Sequence, residues 1–357
     1  MILAMKYKKD FSEIELDERK SKSFFDREEN QRRLKILLRD GECYPTNVVI
    51  HPTMSCNHRC DFCNYFHNLD EENHKEKSRI TSTEYIKIEH IIKFFREFEA
   101  CGVQNLVISG GGDPLLHKDK EIILDTALKY RFEKHIYTNL DFNISDNIIE
   151  MLSRFNSINI NLNTTNPELY RQTRGKGSDL ERVIRNVSEL KRKKSVVNGV
   201  IITRDNTLSS LEQTIEWMRV QNFSSIIVSP AFNIEYKDGE KTTQKTMDSL
   251  YKVKKAVRGI DNIRVVTEVE KAVIKDSQAY CRTHYFDITI GADYWVYACC
   301  MRSYINGYGI VNLKKFGSFI DGWNSEERRS KLKNLGFKCG DCWFGFANQY
   351  LIKREMR

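Results

Sequence analysis

Five prolines in 357 residues, and no Gly/Ser-rich or single-residue tract, leave little room for long disordered linkers. No apolar run approaches the roughly 18 residues a membrane-spanning helix needs, and the opening stretch Met1 to Lys9 is too short in its apolar part for a signal peptide. A soluble, cytoplasmic protein is therefore expected, with no membrane partner. Charge of one sign is not concentrated either: 57 basic against 49 acidic residues give +8, but the basic residues are spread along the chain. The densest run, Lys191 to Lys194, sits at an expected helix end, which fits a solvated face and not a nucleic-acid groove. No internal repeat is found. In a reducing compartment the ten cysteines point to metal ligands or buried thiols, not disulfides.

From about residue 46 to 231, short β-branched runs alternate with amphipathic stretches, as βα units around a parallel sheet require. Six strands are predicted: Asn47–Ile50, Asn105–Ser109, His135–Thr138, Ser157–Leu162, Val196–Ile202 and Ser225–Ser229. A helix over Ile86–Glu99 follows from Ile88, Ile91, Ile92, Phe95 and Phe98 at helical spacing, with Gly102 as its terminator. A second, Leu180–Leu190, carries Val183, Ile184 and Val187 on its apolar face. Six such units make an α/β partial (βα)6 TIM-like barrel, with sites at the C-terminal strand ends. Around it we expect a helical extension over 1–45, a connecting segment over 232–279 with a short strand at Ile263–Val266, and a small cysteine-bearing C-terminal domain over 280–357.

Cys56, Cys60 and Cys63 follow the first strand in C-x3-C-x2-C spacing. Three thiolates on one loop can hold three irons of a cubane cluster and leave the fourth open, whereas four-cysteine clusters leave none. Taken alone, the triplet also suits structural zinc with His58 or His67 as fourth ligand. After the second strand comes Ser109-Gly-Gly-Gly-Asp-Pro-Leu-Leu116, whose glycines let backbone approach a ligand and whose acid can accept from an ammonium group. In the C-terminal part, Cys281, Cys299 and Cys300 precede the pair Cys339 and Cys342. Four thiolates from this set suit zinc or a fully ligated [4Fe–4S] cluster. Cys299 and Cys300 cannot both be ordinary ligands of one cluster, and spacing favours Cys299. Cys43 and Cys101 fit no ligand pattern.

These motifs, in this order, resemble the radical S-adenosylmethionine (SAM) enzymes, with a C-terminal SPASM-type or shortened twitch auxiliary domain. The resemblance spans about residues 47 to 342. It implies that the open iron chelates SAM and that reductive cleavage gives a 5′-deoxyadenosyl radical. It implies that Gly111, Gly112 and Asp113 stand where relatives hold the SAM amino group, with Asp replacing the usual Glu. Thr138 and Asn139 resemble a Thr-Asn-Gly element in which Leu140 replaces Gly. Asn161 and Asn163 occupy the place of a Ser-x-Asp that binds ribose and carboxylate, Arg174 that of an arginine meeting the SAM carboxylate, and Phe62 that of an aromatic near the adenine. It further implies one auxiliary [4Fe–4S] cluster on Cys281, Cys299, Cys339 and Cys342, and flavodoxin or ferredoxin as electron donor. The expected reaction is hydrogen abstraction from a peptide or peptide-like natural product, giving a cross-link, epimerisation or other oxidation. A dehydrogenase or epimerase of an aminocyclitol or sugar is the nearest alternative; a zinc-stabilised module or a non-catalytic electron-transfer protein is the reading from another class.

Overall fold

A computed structural model describes residues 27–63, 65, 83–231, 244–266, 281–298, 300–305, 307–334, 348 and 351. Its helices are α1 (Glu28–Asp40), α2 (Ile88–Ala100), α3 (Lys120–Leu128), α4 (Asp146–Ser153), α5 (Pro167–Arg174), α6 (Leu180–Arg192), α7 (Leu211–Val220), α8 (Gln244–Ala256), α9 (Phe319–Trp323) and α10 (Glu326–Asn334). Its strands are β1 (Asn47–Ile50), β2 (Asn105–Ile108), β3 (Glu133–Thr138), β4 (Ser157–Asn161), β5 (Val197–Thr203), β6 (Ser225–Pro230), β7 (Ile263–Val265), β8 (Asp287–Ile290), β9 (Trp295–Tyr297) and β10 (Gly309–Asn312).

The ten strands form one sheet in the order β10-β9-β8-β1-β2-β3-β4-β5-β6-β7. Every pairing from β8 to β7 is parallel, and the two involving β9 are antiparallel. Among the described residues β7 and β10 are the sheet edges, so the expected six strands form an open half barrel. Two features extend it. The short strand expected at Ile263–Val266 joins as a seventh parallel strand, and β8 of the C-terminal part pairs with β1, placing Asp287 opposite Asn47 and Ile290 opposite Ile50.

Alternation within β1, β2 and β5 separates two faces. On β1, Val48 and Ile50 are fully buried while Asn47 and Val49 are only partly so, and β2 repeats this with Leu106 and Ile108 against Asn105 and Val107. The buried face packs on the helices. On α2 the side chains turned inward are Ile91, Phe94, Phe95 and Phe98, each 0% exposed. Ile92, which the spacing assigned to the apolar stripe, is 40% exposed because the stripe runs through Phe94 instead. Burying side chains of this size contributes about 1.5–3 kcal/mol each. Gly102 ends α2's turn at φ +72°, a conformation glycine adopts without steric cost.

At the N-terminal strand ends, α1 is anchored by Arg33, which donates to the carbonyls of Cys101 (2.5 Å) and Gly102 (2.9 Å). The C-terminal helices lie against α2: Glu97 accepts from Ser318 Oγ (2.9 Å) and from the backbone N–H of Phe319 (2.5 Å) at the start of α9. The first 26 residues of the expected N-terminal extension lie outside the described residues. Among the described residues no helix is long and apolar enough to cross a membrane.

Candidate active site at the C-terminal strand ends

The chain leaves β1 at His51 and turns across the barrel mouth through Cys56, Cys60 and Cys63. Three neighbouring segments hold this loop by backbone bonds and one long cation. Gly112 N–H donates to Thr53 O (3.0 Å) and Asp113 N–H to Ser55 O (2.8 Å), fastening the Gly-rich turn after β2. Arg59 N–H donates to Arg174 O (2.8 Å) and Asp61 N–H to Thr173 O (3.1 Å), fastening the end of α5. From the end of β5, Arg204 Nη1 donates to Asp61 O (2.8 Å).

The glycines are needed here. A Cβ on Gly112 would stand 2.1 Å from Ser55 O, and one on Gly111 would stand 2.0 Å from Met54 Sδ and 2.9 Å from the Tyr304 hydroxyl. The Gly-rich turn therefore lies directly on the cysteine loop. Asp113, 4% exposed, accepts from Leu115 N–H (3.0 Å), the Thr138 hydroxyl (2.9 Å) and Asn139 N–H (2.7 Å). Burial nevertheless lifts its pKa to about 6. Its carboxylate thus ties the turn to the end of β3.

Asn139 faces the loop, with Nδ2 donating to Asn57 Oδ1 (2.8 Å) and lying 3.9 Å from Cys56 Sγ. The following Leu140 has φ +57°, the left-handed region that a glycine would occupy freely. Leu140 is fully buried, and its packing offsets that strain.

Arg174 is 2% exposed. Its Nη2 donates to the carbonyl (2.7 Å) and side-chain oxygen (2.5 Å) of Asn161, Nη1 lies 3.8 Å from Cys60 Sγ, and the guanidinium sits between the rings of Phe62 (5.3 Å) and Tyr170 (5.2 Å). Asn163 Oδ1 accepts from Ile202 N–H at 3.0 Å. The structure thus brings Gly111, Gly112, Asp113, Thr138, Asn139, Asn161 and Arg174, with Phe62 of the loop itself, to the stretch that carries Cys56 and Cys60, while Asn163 is tied to β5. Cys281 is described, with its Sγ 3.1 Å from Thr283 Oγ1. Cys299, Cys339, Cys342 and His67 lie outside the described residues.

Sequence reasoning left His58, His51 and Asp141 without a role. His58 Nε2 donates to Asp141 Oδ2 at 2.7 Å, both groups shut away from solvent. His51 Nδ1 meets the Tyr304 hydroxyl at 2.9 Å, and burial lowers its pKa to about 3. No spacing rule could have paired residues so far apart in the chain.

Burial raises the thiol pKa values to about 12 for Cys56 and about 11 for Cys60. Without metal both are thiols; an iron ligand must be thiolate, so a metal bound here would replace these protons. Three buried polar atoms on or against the loop, His58 Nδ1, Tyr170 Oη and Arg174 Nε, lack a hydrogen-bond partner, as does Asn163 Nδ2 just past β4. Atoms of this kind call for a ligand or water. Three soft thiolates with a buried cation against one of them fit an anionic iron–sulfur cluster. Among the described residues no three ligand side chains converge as they would around a single ion.

A parallel half barrel carrying a three-cysteine loop at its C-terminal mouth defines a class of iron–sulfur fold. The particular family follows from comparison. The profile of the Radical SAM superfamily matches residues 50–218, just under half of this chain, the segment that holds the cysteine loop and the parallel strands; that superfamily uses a [4Fe–4S] cluster and SAM. A probable GTP 3′,8-cyclase of Methanocaldococcus jannaschii is 31% identical over 145 residues, which are 40% of this chain and 44% of that protein. Streptococcus suis SuiB, solved with its precursor peptide SuiA, superposes with TM-score 0.66 at 14% identity over 90% of this chain and 74% of that one. Native anSMEcpe with bound AdoMet gives 0.60 at 17%, over 85% and 89%. The two structures show a shared fold, and the match spans less than half of the curated relative.

Proposed function

We propose that this chain is a radical SAM oxidoreductase whose Cys56, Cys60 and Cys63 hold a [4Fe–4S] cluster and whose substrate is a peptide or peptide-like molecule. The observation that carries the reading is the ring of buried groups around these thiols at the mouth of a parallel half barrel, above all Arg174 against Cys60. When bound and reduced by a flavodoxin or ferredoxin, the cluster and SAM supply a 5′-deoxyadenosyl radical that abstracts hydrogen from carbon. The protein's part is placement. Gly111 and Gly112 keep backbone close to the SAM methionine, Asp113 fixes that turn to Thr138 and Asn139, and Asn161, Asn163 and Arg174 offer hydrogen bonds to ribose and carboxylate. Phe62 gives an apolar face for the adenine. In the same reading, residues 46–231 are the radical SAM unit and 280–357 carry one auxiliary cluster on Cys281, Cys299, Cys339 and Cys342.

The likeness in fold to a protein solved with its precursor peptide favours a peptide. The 31% identity to a probable GTP 3′,8-cyclase favours a second reading, a small nucleotide or hydroxylated metabolite. Anaerobic reconstitution with iron and sulfide, followed by SAM and dithionite, tests the core of the proposal. About eight irons per chain and 5′-deoxyadenosine are expected; zinc alone, with no visible absorbance, overturns it.

A further inference from the structure

Asp141, two residues beyond the matched Thr138-Asn139 element, is 0% exposed and is the meeting point of three segments. Its Oδ1 accepts from Arg182 Nε (2.8 Å) and Nη2 (2.6 Å) on α6. Its Oδ2 accepts from Asp179 N–H (2.8 Å) at the start of α6 and from His58 Nε2 (2.7 Å). Its carbonyl accepts from Asn57 Nδ2 (2.5 Å). Burial works against the charged form, yet these donors outweigh it and hold the Asp141 pKa below the usual carboxylate range.

An internal ion pair of this kind is a poor source of stability, because desolvating both partners costs about as much as their attraction returns. What it does supply is geometry. Arg182 and the Asp179 amide orient the carboxylate, leaving one oxygen aimed at His58. Asn57 and His58 are the two residues that follow Cys56, and only Arg59 then separates them from Cys60. Two bonds from one rigid residue therefore set where the first half of the cysteine loop sits, while the His58 ring packs edge-on against Tyr170 (6.0 Å), the ring beneath Arg174.

We infer that Asp141, acting through His58 and Asn57, is the positioning residue of the cysteine loop, holding Cys56 and Cys60 in the arrangement a cluster needs. The inference rests on reading those cysteines as ligands. Partners one step removed from a metal's ligands typically matter by roughly 10- to 100-fold in affinity.

The test uses the full chain with His58→Leu, His58→Gln and Asp141→Asn. Gln keeps a donor at the reach of Nε2; Leu keeps bulk and deletes the donor. In anaerobic metal-free protein, alkylation of Cys56 and Cys60 is timed by peptide mass spectrometry, with buried Cys101 as the internal standard for global opening. His58→Leu and Asp141→Asn are expected to label Cys56 and Cys60 roughly tenfold faster than wild type at unchanged Cys101 labelling, and His58→Gln at the wild-type rate. After reconstitution to equal iron, the same two variants should bind SAM roughly 10- to 100-fold more weakly. Wild-type labelling in His58→Leu, a parallel rise at Cys101, or His58→Gln behaving as His58→Leu would each overturn the inference. If Asp141→Asn does not fold, the two His58 variants decide alone. If wild type takes up no iron the proposed function fails, and the labelling contrast still decides the positioning claim.

Discussion

The guanidinium of Arg174 stands 3.8 Å, Nη1 to Sγ, from Cys60, and reaches back 2.7 and 2.5 Å to the two oxygens of Asn161. One buried cation thus links the cysteine loop, the end of α5 and the end of β4. From the sequence, Arg174 could equally have been a solvated helix-terminal residue. Its 2% exposure excludes that.

Arg174→Lys tests this link. Lysine keeps the charge but cannot span both Asn161 oxygens while stacking between two rings. Leaving those acceptors unmet should cost about 1.5–3 kcal/mol, read as a lower urea midpoint of the metal-free protein at unchanged slope. Iron uptake should fall in parallel. A variant that unfolds and loads iron like wild type would remove Arg174 from the site.

The two glycines of the turn should separate in effect. A Cβ on Gly112 collides with the backbone oxygen of Ser55, next to Cys56, and backbone can move only by shifting the loop. At Gly111 the nearest atom is Met54 Sδ, the far part of a flexible side chain, although the Tyr304 hydroxyl limits the escape. Gly112→Ala is therefore expected to cost more than Gly111→Ala, both within about 1–3 kcal/mol of overpacking. The larger loss of iron binding should follow Gly112→Ala. Thermal unfolding together with iron analysis decides, and the reverse order would mean that the turn does not rest on the loop as described.

What was legible in the chain follows from how far each signal reaches. The six barrel strands could be read because each is a short β-branched run between amphipathic stretches, as in Asn47–Ile50 or Asn105–Ile108. The cysteine loop and Gly-rich turn were legible because their residue types are dense and local. His58 and Asp141, 83 positions apart, carry no such mark, and neither does the pairing of β8 with β1 across 240 positions. Asp113 was legible as an acceptor, but not that Thr138 and Asn139 would be its donors. Contacts of that kind exist only once the sheet has set its register.

The two cysteine groups should fail differently. On the proposed reading Cys56→Ala removes a ligand of the SAM-binding cluster, and it is expected to abolish 5′-deoxyadenosine formation under dithionite. Cys339→Ala, in the C-terminal group, should leave 5′-deoxyadenosine detectable while blocking product and lowering iron from about eight to about four per chain. 5′-Deoxyadenosine from the Cys56 variant would show that the triplet has been misread.

At the opposite end of the barrel, Asp287 on β8 accepts from Asn47 Nδ2 at 3.4 Å, and Asn47 in turn accepts from Asn105 Nδ2 at 2.7 Å. Burial pushes the Asp287 carboxyl up to about 7. Its folded value therefore stands above the unfolded one of about 3.9, so its contribution to stability is fully present below pH 4 and is lost as pH rises through 7. Asp287→Asn should remove that loss, because the amide stays neutral at every pH and can still accept from Asn47. The variant is expected to match wild type near pH 4 and to exceed it at pH 8. Each unit of displacement is worth about 1.4 kcal/mol, but the side chain is partly open to solvent, so a gain of about 1–2 kcal/mol is the expected size. Urea unfolding at the two pH values measures it. A constant offset between the two proteins across that range would show that Asp287 is ionised throughout, and the polar floor beneath the site would then carry a buried charge.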